Sequence, residues 1–166
     1  VFPPRLGPKS FSYCFSTIAA NEKSIYRRKQ AFSLLTKDWR QNNDKELVHS
    51  AIEDYVNALY RVEPSKIERS VDTSLRKIGY WYDPESKEYK DNLPMTYQQL
   101  YDLAGTWNKD GNQISEDSPK EIVIYEVNDK TATGKLTAEW GIDLFHLSKV
   151  NGQWKIMNII WQSAPK

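Results

Sequence analysis

Three side chains in the body of this chain have the chemistry for acid–base work: Asp72, Asp143 and His146. Proton transfer in an enclosed site needs a carboxylate or imidazole held close to the reacting proton, with its pKa moved towards the working pH. Asp143 and His146 stand three apart in a run that reads as a strand. Successive strand residues point to opposite faces, so the two are not a dyad unless Gly141 introduces a bulge. His146, among Met157 and Leu144, reads as an interface histidine, and Asp72 as a turn or cap residue just before a strand. Asp143 is then the better candidate base and Asp72 the second.

Other chemistries find less support. Cys14 is the single cysteine and lies in the N-terminal tail, and no Gly-x-Ser-x-Gly elbow is present. The glycines at 105, 111, 134, 141 and 152 are scattered singly, so no phosphate-cradling loop is formed. Two histidines and one cysteine make no cluster with zinc-ligand spacing, and neither a metal nor a cofactor is expected. Aromatic rings are the remaining resource. Tyr80, Trp81, Trp107 and Trp140 can stack on a flat ring at a cavity mouth; Trp140, next to Gly141, also reads as a turn residue between strands.

The elements that must position these groups follow from periodicity. Residues 22–40 read as a helix, with Ile25, Phe32 and Trp39 every seven and Leu35 on the same side. Asn43 and Asp44 can cap a second helix, with Glu46 placed to complete a capping box. Its apolar stripe is Leu47, Ala51, Tyr55, Ala58 and Leu59, broadened by Val48, Ile52 and Val56. Pro64 opens a short helix, SLRKIGYWY reads as a strand, and DPESKEYKDN as a polar hairpin or loop. Thr96 caps a helix running from Tyr97 to about Trp107. The C-terminal third, KEIVIYEVNDKTATGKLTAEWGIDLFHLSKVNGQWKIMNIIWQ, is a meander of four strands. Its strongest mark is Asn151-Gly152, because a type I′ hairpin turn needs positive φ at both central residues. Helices in front and a meander behind predict an α+β domain with helices on one face of a curved sheet.

A two-residue turn at Asn151-Gly152 places Val150 opposite Gln153 and sets a register. Carried along the strands, it puts Asp143, Phe145, Leu147, Trp154, Ile156, Asn158 and Ile160 on one face. The other face carries Ile142, Leu144, His146, Met157, Ile159 and Trp161. The first face turns polar away from the turn, as the polar end of a small-molecule pocket does. Its expected ligand-binding residues are Asp143, Asn158, Phe145 and Ile160, with Trp107, Trp81 and Tyr80 across from them. The second face is largely apolar too, so the sequence predicts that a second copy of the chain covers it as a homodimer.

Totals bound the rest. A chain of 166 residues suits one domain with a tail. Residues 1–40 hold eight Lys/Arg against two Asp/Glu, while 41–166 hold fifteen against twenty. The body is thus mildly acidic, which argues against nucleic acid as a partner. No apolar run has the length of a membrane span. The run FSYCFSTIAA, with basic residues before and after it, loosely resembles a secretory signal but reads better as an unstructured tail, so the compartment stays open between cytoplasm and secretion.

The runs AIEDYVNALYRVEPSKIERSVDTSLRKIGYW, MTYQQLYDLAGTWN and KTATGKLTAEWGIDLFHLSKVNGQWKIMNIIWQ resemble the lumazine-binding group of the nuclear transport factor two-like superfamily. This superfamily is also described as SnoaL-like or as a cystatin-like cone. The resemblance covers about residues 45–163. It implies a strongly bent antiparallel sheet wrapped around three helices, with an internal cavity and frequent dimerisation through the sheet. The expected layout is a flexible tail over 1–20, an accessory helix over 21–42 and the cone over 43–163. Relatives are expected to carry a His-Pro pair where this chain has Asp72-Thr73, which removes a histidine-based site there. Superfamily functions range from steroid isomerases to pocket-only proteins, so fold does not settle function. Three readings stand: a domain binding a flat or apolar small molecule, a cofactor-independent lyase or isomerase with an Asp base in the cone, and a dimerising interaction module.

Overall fold

A computed structural model describes the backbone of residues 8–164 and the side chains of residues 25–164. The chain divides into two units, Val1–Arg40 and Gln41–Lys166. Helix α1 is Pro8–Tyr60. In the first unit its apolar residues Ile25, Phe32, Leu35 and Trp39 are all exposed. Part of the span expected as a tail, residues 1–7, lies outside the described residues, and the remainder from Pro8 onward is helical.

The second unit carries the core. The helix does not restart at Asn43 or Asp44, so neither is an N-cap. Asp44 works sideways instead: its Oδ1 accepts from Lys149 Nζ at 2.5 Å and from Trp154 Nε1 at 3.0 Å. From here α1 buries Val48, Ala51, Ile52, Tyr55, Val56, Ala58 and Leu59 at helical spacing, whereas Leu47 stays exposed. Two shorter helices follow, α2 (Ser65–Ser70) and α3 (Tyr97–Ala104). Thr96 caps α3 as expected. Its hydroxyl accepts from Gln99 N, and the Gln99 side chain accepts in return from Thr96 N.

Six strands form one curved, unclosed sheet: β1 (Val71–Asp83), β2 (Glu88–Met95), β3 (Glu121–Val127), β4 (Thr131–Ala138), β5 (Gly141–Val150) and β6 (Gln153–Gln162). Their order is β2-β1-β6-β5-β4-β3. The segment DPESKEYKDN is the tip and return strand of the β1–β2 hairpin. The C-terminal meander is β3 to β6, and every neighbouring pair within it is antiparallel. The sheet departs from a purely antiparallel one at β1 and β6, which run parallel. Asn151 and Gly152 have φ of 50° and 84°, the positive pair a type I′ turn requires, and Val150 faces Gln153. The architecture is the α+β cone, with one apolar core joining α1, α2 and α3 to the inner sheet face.

The expected register fails halfway along β5 and β6. Leu147 pairs with Ile156, but His146 pairs with Asn158, so Met157 is an extra residue in the ladder. A single inserted residue reverses the faces of everything beyond it. Ile159 and Trp161 therefore join Phe145 and Asp143 inside, and Asn158 and Ile160 go outside with His146, Leu144 and Ile142. Burial follows this pattern: Ile159 is 0% exposed and Ile160 44%.

Candidate functional site

Asp143 lies on the inner face of β5 with no exposed surface. The bulge brings Trp161 beside it as its β6 register partner. Three other elements aim polar groups at it. Trp140, in the β4–β5 turn, donates Nε1 to Asp143 Oδ2 at 2.6 Å. Tyr55, from α1, donates its hydroxyl to Oδ1 at 3.5 Å. Lys77, on the inner face of β1, places Nζ 3.6 Å from Oδ1 and donates to the Tyr55 oxygen at 2.5 Å. No buried side-chain polar atom among the described residues lacks a partner.

The electrostatics follow from burial. Burial pushes the Asp143 carboxyl above its ordinary value; the Lys77 charge and the hydrogen bonds from Trp140, Lys77 and Tyr55 pull the other way and do not overcome it. Burial likewise lowers the Lys77 ammonium against the raising effect of Asp143. The Tyr55 hydroxyl is pushed well above its usual range by burial and by the neighbouring carboxylate. A cation and an anion sharing one enclosed site compensate each other, and removing either alone leaves an unpaired buried charge.

Next to this cluster is a cavity of about 470 Å³. Four indoles line it: Trp81 from β1, Trp107 just after α3, Trp140 from the β4–β5 turn and Trp161 from β6. Tyr82, Gln113, Glu139 and Ser163 supply its polar atoms. Tyr60 anchors the back of the aromatic wall, stacked on Trp107 at 6.1 Å and set edge-on to Trp140 at 5.7 Å. The Tyr60 hydroxyl accepts from Glu139 N and donates to Pro119 O, which fixes the turn that carries Trp140. Ser163 closes the floor, with its hydroxyl accepting from Tyr82 N and its amide donating to Tyr80 O. The cavity is apolar with a few fixed polar groups, the usual constitution of a small-molecule site.

Of the expected ligand-binding residues, Trp81 and Trp107 line the cavity. Asp143 is inside the cone but sits behind Trp140 and Trp161. Phe145 is 2% exposed and packs edge-on against Tyr55 as core. Asn158 and Ile160 are corrected to the outer face by the bulge at Met157. Tyr80 is not among the lining residues. Asp72 holds a local turn: its Oδ1 accepts from the amide and hydroxyl of Ser74, and these bonds keep its pKa low. It contacts neither Asp143 nor the cavity. Among the expected interface residues, Ile142, Leu144 and His146 are exposed, whereas Ile159 is core and Trp161 lines the cavity.

Lys77, Tyr55 and Glu139 escaped sequence reasoning as site residues, and Trp161 was expected at the dimer interface rather than in the cavity. Lys77 could have been found from parity alone, because it alternates with Leu75 and Gly79 on the inner face of β1. The bulge also left a trace. The polar positions of β6 change parity between Lys155 and Asn158, three residues apart where an unbroken strand keeps multiples of two.

The family described as "Putative lumazine-binding" matches residues 43–162. Solved structures of nuclear transport factor two-like proteins share the fold. One from Silicibacter pomeroyi aligns with a TM-score of 0.54 and 15% identity, covering 74% of this chain and 98% of that one. One from Shewanella baltica aligns at 0.52 and 15%, covering 75% and 96%. A third, from Methylobacillus flagellatus, aligns at 0.51 and 18%, covering 74% and 93%. No curated protein sequence matches the chain.

Proposed function

The chain belongs to that lumazine-binding family, and from this premise we propose that its cone domain is a small-molecule-binding domain whose ligand sits among Trp81, Trp107, Trp140 and Trp161. The observation that carries the reading is the convergence of four tryptophans from four separate parts of the chain on one cavity of about 470 Å³. Core packing alone does not call for so many half-open indoles around an empty space. Trp81 is 40% exposed, a poor use of a large apolar ring unless something covers it.

Binding is favoured over catalysis by the placement of the one buried acid–base cluster. A general base must come within hydrogen-bond reach of the proton it removes. Asp143 is 0% exposed, and one of its oxygens is held by Trp140 Nε1 at 2.6 Å. Lys77 is 5% exposed. A lyase or isomerase working through either group would have to displace an indole first. The cluster therefore serves to position the wall, with Trp140 locked by its bond to Asp143.

Indole N–H resonances report the site directly. A library of charged and uncharged small molecules, lumazine included, should shift the N–H signals of the cavity tryptophans saturably. The Trp81→Leu variant should bind the same compounds more weakly while keeping its melting temperature within a few degrees. A folded wild-type protein whose indole signals respond to no member of the library overturns the reading.

A further inference from the structure

We propose that the ligand carries an alkylated ammonium cation, held by the faces of the cavity tryptophans and by Glu139; this rests on the cavity being the binding site. Among the described residues that line the cavity, Glu139 is the one charged side chain. Its Oε2 accepts from Ser118 Oγ at 2.9 Å, and none of the described ion pairs involves it. A carboxylate beside an aromatic cavity without a cation of its own makes the site attractive to a positive ligand and hostile to a negative one.

The aromatic walls select the same class. Indole is the best of the aromatic side chains for attracting a cation over its face, and cages of such rings recognise quaternary ammonium groups. The protein already uses two of these rings in that way. Lys90 Nζ lies 4.9 Å from the Trp81 ring centroid, and Lys77 Nζ lies 5.6 Å from that of Trp161. Each of those ammonium groups has its own carboxylate, Asp83 for Lys90 and Asp143 for Lys77. Glu139 is the carboxylate left over, and it is the one facing the cavity.

Ring orientation separates a compact cation from a flat heterocycle. A flat ring is best held between parallel faces. Trp107 and Trp140 stand at 87° to one another with centroids 5.3 Å apart. Walls set at right angles make a corner, which suits a rounded group such as trimethylammonium that can touch several faces at once.

Choline and its uncharged isostere 3,3-dimethyl-1-butanol have the same shape and differ in charge. Titrated into the full chain and followed by tryptophan fluorescence and calorimetry, choline should bind saturably and about tenfold more tightly than the alcohol. Glu139→Gln should weaken choline about fivefold and leave the alcohol unchanged. If that variant melts markedly lower, Trp81→Leu at the exposed rim takes its place and should likewise weaken choline more than the alcohol. Equal affinity for the two probes, or no change in Glu139→Gln, overturns the cation and leaves the cavity reading standing. Lumazine binding without choline binding does the same. Failure of all three probes to bind overturns the cation, and the cavity reading falls with it when no other member of the library shifts the indole signals.

Discussion

Gly79 and Trp161 are register partners on the parallel β1–β6 pair, and the Trp161 indole fills the space that a side chain at Gly79 would occupy. A Cβ at Gly79 would lie 2.1 Å from Trp161 Nε1 and 2.2 Å from Cε2. Glycine inside a strand often marks such a close approach. Here it lets an indole lie flat over the strand between the cavity and the Lys77–Asp143 pair.

Gly79→Ala should therefore act on the site more than on the fold. The indole can yield only towards the cavity, because Lys77 lies on its other side. We expect Trp161 to be pushed into the cavity, the tryptophan emission to shift, and ligand binding to fall at least tenfold, with a stability loss of about 1–3 kcal/mol from overpacking. Native emission and native binding in this variant would show that Trp161 has room to move.

Breaking the buried pair should cost far more. Lys77→Met or Asp143→Asn alone leaves one charge without its counter-ion, at about 3–5 kcal/mol. The double variant removes both charges and should lose less than the sum of the two. Urea denaturation of the four proteins closes the cycle. Additive losses would mean that Lys77 and Asp143 are each held by Tyr55 and Trp140 rather than by each other.

Asp44 gives the clearest acid response. Burial works to raise its pKa, but the hydrogen bonds from Lys149 and Trp154 and the Lys149 charge outweigh burial, so the carboxyl stays below its ordinary value. A depressed carboxylate adds stability that is present above the unfolded pKa and is lost as pH falls through the folded one. Asp44→Asn should melt lower than wild type at pH 7, and the gap should narrow below about pH 4. A constant gap from pH 7 to pH 2.5 would remove Asp44 as the cause.

The fold was legible because it rests on local signals that tertiary contacts reinforce: the Asn151-Gly152 turn, the Thr96 box and the stripe from Val48 to Leu59. The site was legible only in part, because it depends on one residue. Met157 is apolar, as are Ile156, Ile159 and Ile160, so alternation could not reveal which of them is extra. An unbroken ladder puts Asn158 on the same inner face as Asp143, assigns Trp161 to the opposite face and leaves Lys77 unassigned. Trp140 shows a different gap. A tryptophan beside a glycine at a strand end reads as a turn residue, which it is. Its bond to Asp143 depends on the fixed turn at Gly141, whose φ is 131° and whose Cβ would fall 2.1 Å from Gln162 O.

The bulge also rewrites the expected homodimer and makes it easier to test. The outer face now pairs Leu144 with Ile160, Ile142 with Gln162 and His146 with Asn158. Leu144 is 49% exposed, Ile160 44% and Ile142 38%, so a short apolar patch lies open on the outer face of β5 and β6. Such patches mark interaction sites, and a two-fold contact lets one patch cover its own copy. Wild-type protein should sediment as a dimer. Ile160→Glu should give a folded monomer, because the new charge points to solvent in the single chain and into the contact in the pair. Ile159→Glu, one residue earlier, should instead unfold the domain, since Ile159 is 0% exposed within the core. Sedimentation velocity and thermal melts of the two variants together decide the matter. If Ile160→Glu remains a dimer, or the wild type is a monomer at high concentration, this face does not pair with itself.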